Sequence, residues 1–532
     1  MEGASKFSRG TAFQIKHAGS YRQYSYSEVY ELVSNLAAHL RSQHINHGDR
    51  VAILSENRPE WAIAYLAIAS LGAINVPLDA KLAREEVEKL LEDSGAKMIL
   101  ISAGLAKEHK FSLPAGRHGL KQILMEDIEK LKSADLPAAQ VLPNDLAAII
   151  YTSGTTGAPK GVMLTHENIM SNVTTTVKLF NIGPKDTFLS VLPLHHTFEA
   201  TAGFLGPFYL GACVTYAESL KSPNLLANMR ETRVTIMCGV PLLYKLFYEG
   251  ILREVEEKGI ILRAFFYLLL GLAKILKPEP IRRLLFFTIH RKLGGKLRFW
   301  VSGGAAIDPM IIRGFALFGI TILQGYGLTE SSPILTCCTL RHNRVGSVGK
   351  PLSNVEIKLT AEGEIIARGP NIMQGYYQRP DLTAEVLRNG WLYTGDVGKI
   401  DREGFVYITG RSKDLIVTGS GVNVYPEEIE FFINRIPGVA ESCVLGVKAR
   451  EGLRKGMEEV WAIIVPDYDY FKKRKLDQQR MEHYLIAEIH KLNQKLTEYK
   501  RIANVKIRSI ELPKTTTRKV RRFQVKAEMG LK

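Results

Sequence analysis

Sulfur chemistry is the first thing this sequence is short of. It holds five cysteines in 532 residues, Cys213, Cys238, Cys337, Cys338 and Cys443. None stands in C-x-x-C spacing, which argues against a zinc ribbon or a thioredoxin-type site. An odd number without a framework reads as reduced thiols of a cytoplasmic protein, and Cys337 and Cys338 read as small buried apolar residues. Long apolar runs are also missing. The longest, Ala264 to Ala273, is ten residues, half of the ~20 that a membrane span needs. The first residues, MEGASKFSRG, lack the apolar core of a signal peptide. No segment recurs at a period of about 20 to 50 residues, so a solenoid is excluded. Acidic residues are outnumbered: 54 Asp plus Glu against 70 Lys plus Arg leave a net charge of +16, a balance that suits anionic partners. The expectation is a cytoplasmic protein, free in solution or peripheral on the inner face of a membrane.

What is present is ordinary globular material, 46% hydrophobic and 23% charged. At about 150 residues per domain the length allows three or four units. Short apolar runs alternate with helical stretches over the first part of the chain. Val51 to Leu54, Ile74 to Leu78 and Met98 to Ser102 read as strands, and Pro59 to Gly72 and Glu85 to Leu91 as helices. This alternation predicts an α/β fold, a large N-terminal domain of parallel sheets covered by helices. From about Gly346 the runs shorten and Gly and Pro break them, which predicts a small β-rich subdomain over 346–410. The remaining 411–532 reads as a separate α+β domain, with a helix at Pro426 to Ile433, strands at Ser442 to Val447 and Glu459 to Val465, and a long helix from Asp477 to Leu496.

One string decides the chemistry. Tyr151 to Gly161 read YTSGTTGAPKG, after a predicted strand at Ala147 to Ile150 and before a helix that Thr165 caps. Glycines at Gly154 and Gly157 permit tight turns, so backbone N–H groups can converge on an anion. Thr152, Ser153, Thr155 and Thr156 add hydroxyl donors, and Lys160 adds charge. The set suits the β- and γ-phosphates of a nucleotide. It is not a Walker A loop, because the G-x4-G-K-S/T spacing is absent.

The string resembles the signature of the adenylate-forming enzymes: acyl-CoA synthetases, peptide adenylation domains and luciferase. Further motifs follow in that family's order along nearly the whole chain. LPLHHTFE (Leu192 to Glu199) is similar to the stretch that lines the acyl pocket, which places His196 between acid and thiol. SGGA (Ser302 to Ala305) resembles the adenine-side loop and implicates Gly303, Gly304 and Ala305. QGYGLTE (Gln324 to Glu330) implies that Gln324, Gly325, Tyr326 and Gly327 lie against the nucleotide, that Thr329 meets the α-phosphate, and that Glu330 holds Mg²⁺. Asp396 in YTGD and Arg411 in GRSKD resemble the ribose-binding pair. Lys413 matches the hinge about which a mobile C-terminal domain swings. GSGVNVYPEEIE (Gly419 to Glu430) is similar to the loop beside the coenzyme channel, with Gly419, Gly421, Val422 and Asn423 its nearest residues. In LPKTTTRKVRR (Leu512 to Arg522), Lys519 falls on the catalytic lysine, Arg518 stands where the family has Gly, and Lys514 is the competitor for the role.

The resemblance implies two half-reactions. A carboxylate attacks the α-phosphorus of ATP and expels pyrophosphate, and a thiol then displaces AMP from the acyl-adenylate. Lys160, Thr329, Glu330 and Lys519 serve the first half as its catalytic set. ATP, Mg²⁺ and coenzyme A are the implied cofactors and co-substrates, with an acyl carrier protein as the alternative acceptor and no nucleic-acid partner. NVPLDAKL, GVPLLYKLF and GPNIMQGYY look most like long-chain fatty acid–CoA ligases. An aryl or amino acid as substrate, or an inactive lipid- or nucleic-acid-binding relative, are the alternatives. Between Arg253 and Arg298 there are eleven Lys/Arg against four Glu. Leu262, Phe265, Phe266, Leu269 and Leu272/Ala273 recur there at helical spacing, with Arg263, Lys274 and Lys277 nearby. Such a helix either rests on anionic lipid or packs over the acyl tunnel.

Overall fold

The computed structural model describes residues 6–109, 120–132, 139–153, 159–418, 423–449, 457–514 and 520–531. The chain forms two compact units, one of residues 1–357 with 367–392, the other of 358–366 with 393–532. The fold is α/β, with several mixed sheets in the first unit and an α+β arrangement in the second.

Two large sheets build the first unit. In the seven-stranded sheet Arg50–Leu54 lies between Ile74–Leu78 and Met98–Ile101, all parallel. Every residue of Ile74–Leu78 is buried, as a strand covered on both faces requires. Pro77 sits inside it, opposite Ile53, and cannot donate to a neighbour; on the other side Asn75 lies opposite Ala148 of Leu146–Ser153. The nine-stranded sheet has a parallel centre, including Ile236–Gly239, Phe299–Ser302 and Thr321–Gly327, and antiparallel edges. The parallel centre is what the alternation predicts, and antiparallel strands extend it at the margins. The helix Pro59–Ser70, with Pro at its first turn, is apolar on every side beyond Glu60, which pairs with Arg58. That pattern suits a helix with no solvent face, and Trp61, Ala62, Ile63 and Ala64 are fully buried in one core with residues of both sheets.

In the second unit Val439–Lys448 pairs antiparallel with Glu458–Pro466, which pairs parallel with Asn504–Ile507. The helices Pro426–Ile433 and Gln478–Asn493 pack Ile429, Ile433, Leu485 and Ile489 against Val444 and Ile464. Cys337 and Cys338 are buried, as the sequence suggests. Among the described residues no helix is long and apolar enough to cross a membrane.

Candidate active site

Local structure around the Ser/Thr/Gly string differs from the expectation. The residues after it form a strand, Pro159–Thr165, which folds back antiparallel on Leu146–Ser153, and only then does the helix His166–Val177 begin, capped by Thr165. Lys160 is therefore on a strand, opposite Thr152. The string joins two strands of a hairpin, and no helix N-terminus follows it directly. Gly154, Thr155, Thr156 and Gly157 lie outside the described residues, as does the side chain of Ser153.

Three side chains from distant parts of the chain meet beside this hairpin. Tyr376 belongs to the two-residue strand Gly375–Tyr376, which pairs with Val162 and Met163. The Lys160 ammonium lies 5.1 Å from the centre of its ring. The Tyr376 hydroxyl donates to Glu330 Oε1 at 2.8 Å. Burial, reinforced by the Glu330 carboxylate, holds the phenol well above its ordinary pKa, so it stays a donor. Lys160 and Glu330 make no ion pair among the described residues. The ring separates a cation over its face from an anion at its hydroxyl.

Glu330 is held by backbone contacts. It sits in the single turn Thr329–Ser331, and its carbonyl accepts from the Met373 N–H at 2.9 Å. The Asn371 amide donates to the carbonyl of Ser331 at 2.9 Å, and the Asn172 amide to that of Ile334 at 2.7 Å. Gly327 has a packing reason: a Cβ there would stand 1.8 Å from the Pro333 carbonyl oxygen. Tyr326, opposite Thr336, packs on the small cluster around Leu335. Gly325 lies opposite Cys337.

At the carboxyl ends of the parallel strands, Ser302 lies opposite Gln324. Ser302 Oγ and Gln324 Oε1 are buried without a partner among the described residues, at the strand ends where open α/β sheets take their ligands. Gly303 covers the Phe198 ring, which a Cβ would meet at 3.0 Å, and Gly304 has φ +81°. This packing ties the segment before Ala305 to LPLHHTFE. There the rings of His195 and His196 lie 4.2 Å apart. Burial, with Lys81 nearby, pushes His195 down to about 3, so its 3.7 Å approach to Asp79 joins a neutral ring and is no ion pair.

In the second unit Asp396 and Arg411 face each other across an antiparallel ladder, and Arg411 Nε meets Asp396 Oδ1 at 2.9 Å. Lys413 follows in the turn Ser412–Asp414. Arg522 pairs with Asp414 at 3.2 Å and with Glu430 at 2.7 Å. Lys514 is engaged by Glu441 and Glu511. Gly419, Gly421, Val422 and Lys519 lie outside the described residues, as does the side chain of Asn423.

Residues 2–377 match the family described as AMP-binding enzyme, and 428–519 match its C-terminal domain. The chain belongs to the AMP-binding enzyme family. It is 30% identical to a feruloyl-CoA synthase of Amycolatopsis sp, over 82% of each chain. It is also 30% identical to a long-chain-fatty-acid–CoA ligase of Mycobacterium bovis, over 80% of this chain and 76% of that one. Among solved structures, o-succinylbenzoate CoA synthetase from Bacillus subtilis in complex with ATP and magnesium ion aligns with a TM-score of 0.77. It is 25% identical, and the alignment covers 99% of this chain and 98% of that one.

Within this AMP-binding enzyme, the sequence reading passed over Tyr376, Asn371 and Asn172. The first two stand in the GPNIMQGYY string, where the Asn and Tyr were available as a signal. It also passed over Glu199, whose carboxyl is fully buried with neither oxygen hydrogen-bonded among the described residues. Burial pushes it from 4.5 up to about 8. The folded protein thus keeps a proton there that the unfolded chain releases above pH 4.5 or so. Stability from this site is complete below that point and falls by about 1.4 kcal/mol per pH unit as pH rises towards 8. Thermal unfolding of the wild type against Glu199→Gln, scanned from about pH 5 to pH 8, should show the wild type losing ground steadily. Parallel curves would mean that the acid is not held neutral.

Proposed function

We propose that this enzyme activates a long-chain fatty acid with ATP, releasing pyrophosphate, and passes the acyl group from the acyl-adenylate to coenzyme A with release of AMP. The coarser part of this reading, an AMP-forming acid–thiol ligase acting through an acyl-adenylate, rests on the family and its CoA-ligase relatives. The observation that carries it is the Lys160–Tyr376–Glu330 arrangement. It keeps a buried ammonium and a carboxylate apart, so each is available to a different part of a metal-bound triphosphate.

The acid needs no general base, being ionised at neutral pH. Its oxygen attacks the α-phosphorus in line, and charge gathers on the non-bridging oxygens. Lys160 and the Thr152 hydroxyl, side by side on the hairpin, stabilise that charge electrostatically. Lys519 adds a second cation, by its place in the PKTTTRK string. Glu330 and the Thr329 hydroxyl are hard oxygen donors of the kind Mg²⁺ takes; the ion, when bound, neutralises phosphate charge. Tyr376 positions Glu330. Asp396, braced by Arg411, accepts the ribose hydroxyls, and Tyr326, with Gln324 and Gly303 to Ala305, borders the base. For the second half, residues 411–532 turn about Lys413, withdraw Lys519, and bring Gly419 to Asn423 to the thiol beside His196. The ion pairs of Lys514 with Glu441 and Glu511 support Lys519 over Lys514 as the second cation.

The fatty chain is supported by the ligase relative from Mycobacterium bovis and by the apolar helices Pro241–Glu256 and Ile260–Ile275. An aryl acid is the second reading, favoured by the feruloyl- and succinylbenzoate-specific names among the relatives. Pyrophosphate release over a panel of short, long-chain, aryl and amino acids, with coenzyme A or a carrier protein as acceptor, decides between them. Long-chain acids with coenzyme A should give the highest kcat/KM; a preference for ferulate-like acids would overturn the fatty reading.

Lys519→Ala should abolish pyrophosphate release yet spare thioester formation from supplied acyl-AMP. Equal loss of both halves would refute the domain alternation. Tyr376→Phe keeps the ring under Lys160 and removes the bond to Glu330, a charge-assisted hydrogen bond of about 1.5–3 kcal/mol. We expect adenylation to fall about tenfold or more, with a raised Mg²⁺ requirement and an unchanged second half. An unaltered Mg²⁺ dependence would remove Tyr376 from the positioning of Glu330.

A further inference from the structure

The helix Ile260–Ile275 buries only Phe266 and Ala273, which pack into the cluster that includes Phe286, Phe315 and Phe318. Its outward side is not polar. Ile261, Phe265, Leu268, Leu272 and Ile275 follow one another at steps of four, three, four and three residues, and each is between 39% and 81% exposed. At 100° per residue these five form one stripe about 80° wide and about 21 Å long. The stripe points roughly 130° away from the packed edge. Two of the helices in contact with this one, Pro241–Glu256 and Glu279–Leu285, expose Leu246 and Leu284 as well. A run of large apolar side chains this long marks a surface that something covers.

Charge selects the occupant. Arg263 and Lys274 occupy the third side of the helix and Lys277 stands just past its end; none has a carboxylate partner among the described residues. The segment Arg253 to Arg298 carries eleven cations against four carboxylates. A second copy of the chain laid on the stripe would bring two such positive surfaces together. A bilayer with anionic headgroups instead accepts the apolar stripe at the acyl boundary and the lysine and arginine ends at its phosphates.

We infer that the Ile260–Ile275 helix docks this enzyme on the surface of an anionic phospholipid membrane, with Ile261, Phe265, Leu268, Leu272 and Ile275 inserted and Arg263, Lys274 and Lys277 on the headgroups. The inference does not rest on which acid the enzyme takes. It rests on one exposed apolar stripe, its separation from the packed edge, and the cations on the third side of the helix and past its end. The helix is too short to span, so docking is peripheral and reversible.

Flotation of the full-length protein with vesicles tests it, using phosphatidylcholine alone against phosphatidylcholine mixed with phosphatidylglycerol. The wild type should float with the anionic vesicles, and high salt should weaken the association. The triple variant Phe265→Ser, Leu268→Ser, Leu272→Ser should lose about tenfold or more in partitioning. Lys274→Glu with Lys277→Glu should lose about fivefold per charge removed on anionic vesicles and little on neutral ones. Because all these side chains face solvent, the melting temperature and the rate with a short soluble acid should stay at wild-type values, which separates docking from folding and from catalysis. Wild type that stays at the bottom with both vesicles overturns the inference. So does a stripe variant that floats as well as the wild type. If the wild type sediments as a dimer that the stripe variant splits, the stripe is a contact between copies and the membrane reading fails.

Discussion

A buried lysine and a nearby glutamate that are kept from pairing set the terms for the first unit of this protein. If Lys160 and Glu330 met directly, each would satisfy the other, and neither would have much left for a ligand. Placed on the face and on the hydroxyl of Tyr376, they are compensated only in part. A cation over an aromatic face gains about 0.5–2 kcal/mol, far less than an ammonium loses on leaving water. The deficit leaves an electropositive point beside the hairpin and a hard oxygen donor a ring's length away. Maintaining that gap explains features that otherwise look unrelated: the brief strand Gly375–Tyr376, the buried Asn371 and Asn172, and the close backbone approach at Gly327.

Much of the scaffold is legible in the sequence because local signals agree with the tertiary context. Ile74–Leu78 is an uninterrupted buried run, and Pro426–Ile433 carries Pro at its first turn. The strand Pro159–Thr165 is not legible. It opens on Pro, Lys and Gly, poor strand formers all, and is imposed by pairing with Leu146–Ser153. Tyr376 could not be foreseen as a partner of Lys160, because more than two hundred residues separate them and only the fold joins them. The helix Ile260–Ile275 shows the limit of periodicity. Leu262, Phe265, Phe266, Leu269 and Leu272 look like one face in the sequence. The structure divides them between a packed edge, with Phe266, and an outward stripe, with Phe265 and Leu272. A period reports that a face exists; which way it points depends on neighbours.

The second unit shows a similar economy of charge. Asp396 is almost fully buried, and Arg411 holds its carboxylate in place from across the ladder. Arg522 ties the turn that contains Asp414 to the helix Pro426–Ile433 through Glu430. A buried arginine shared among carboxylates fixes geometry more than it adds stability. Here it joins the turn after Arg411 and the helix Pro426–Ile433 into a single block.

The proposed chemistry stands or falls on an acid oxygen forming a bond to the α-phosphorus of ATP. Reaction of the ¹⁸O-labelled carboxylic acid, with mass analysis of the nucleotide after thioester formation, tests it most directly. One labelled oxygen should appear in AMP, with unlabelled pyrophosphate as the other product. Label in orthophosphate alongside ADP would contradict the account.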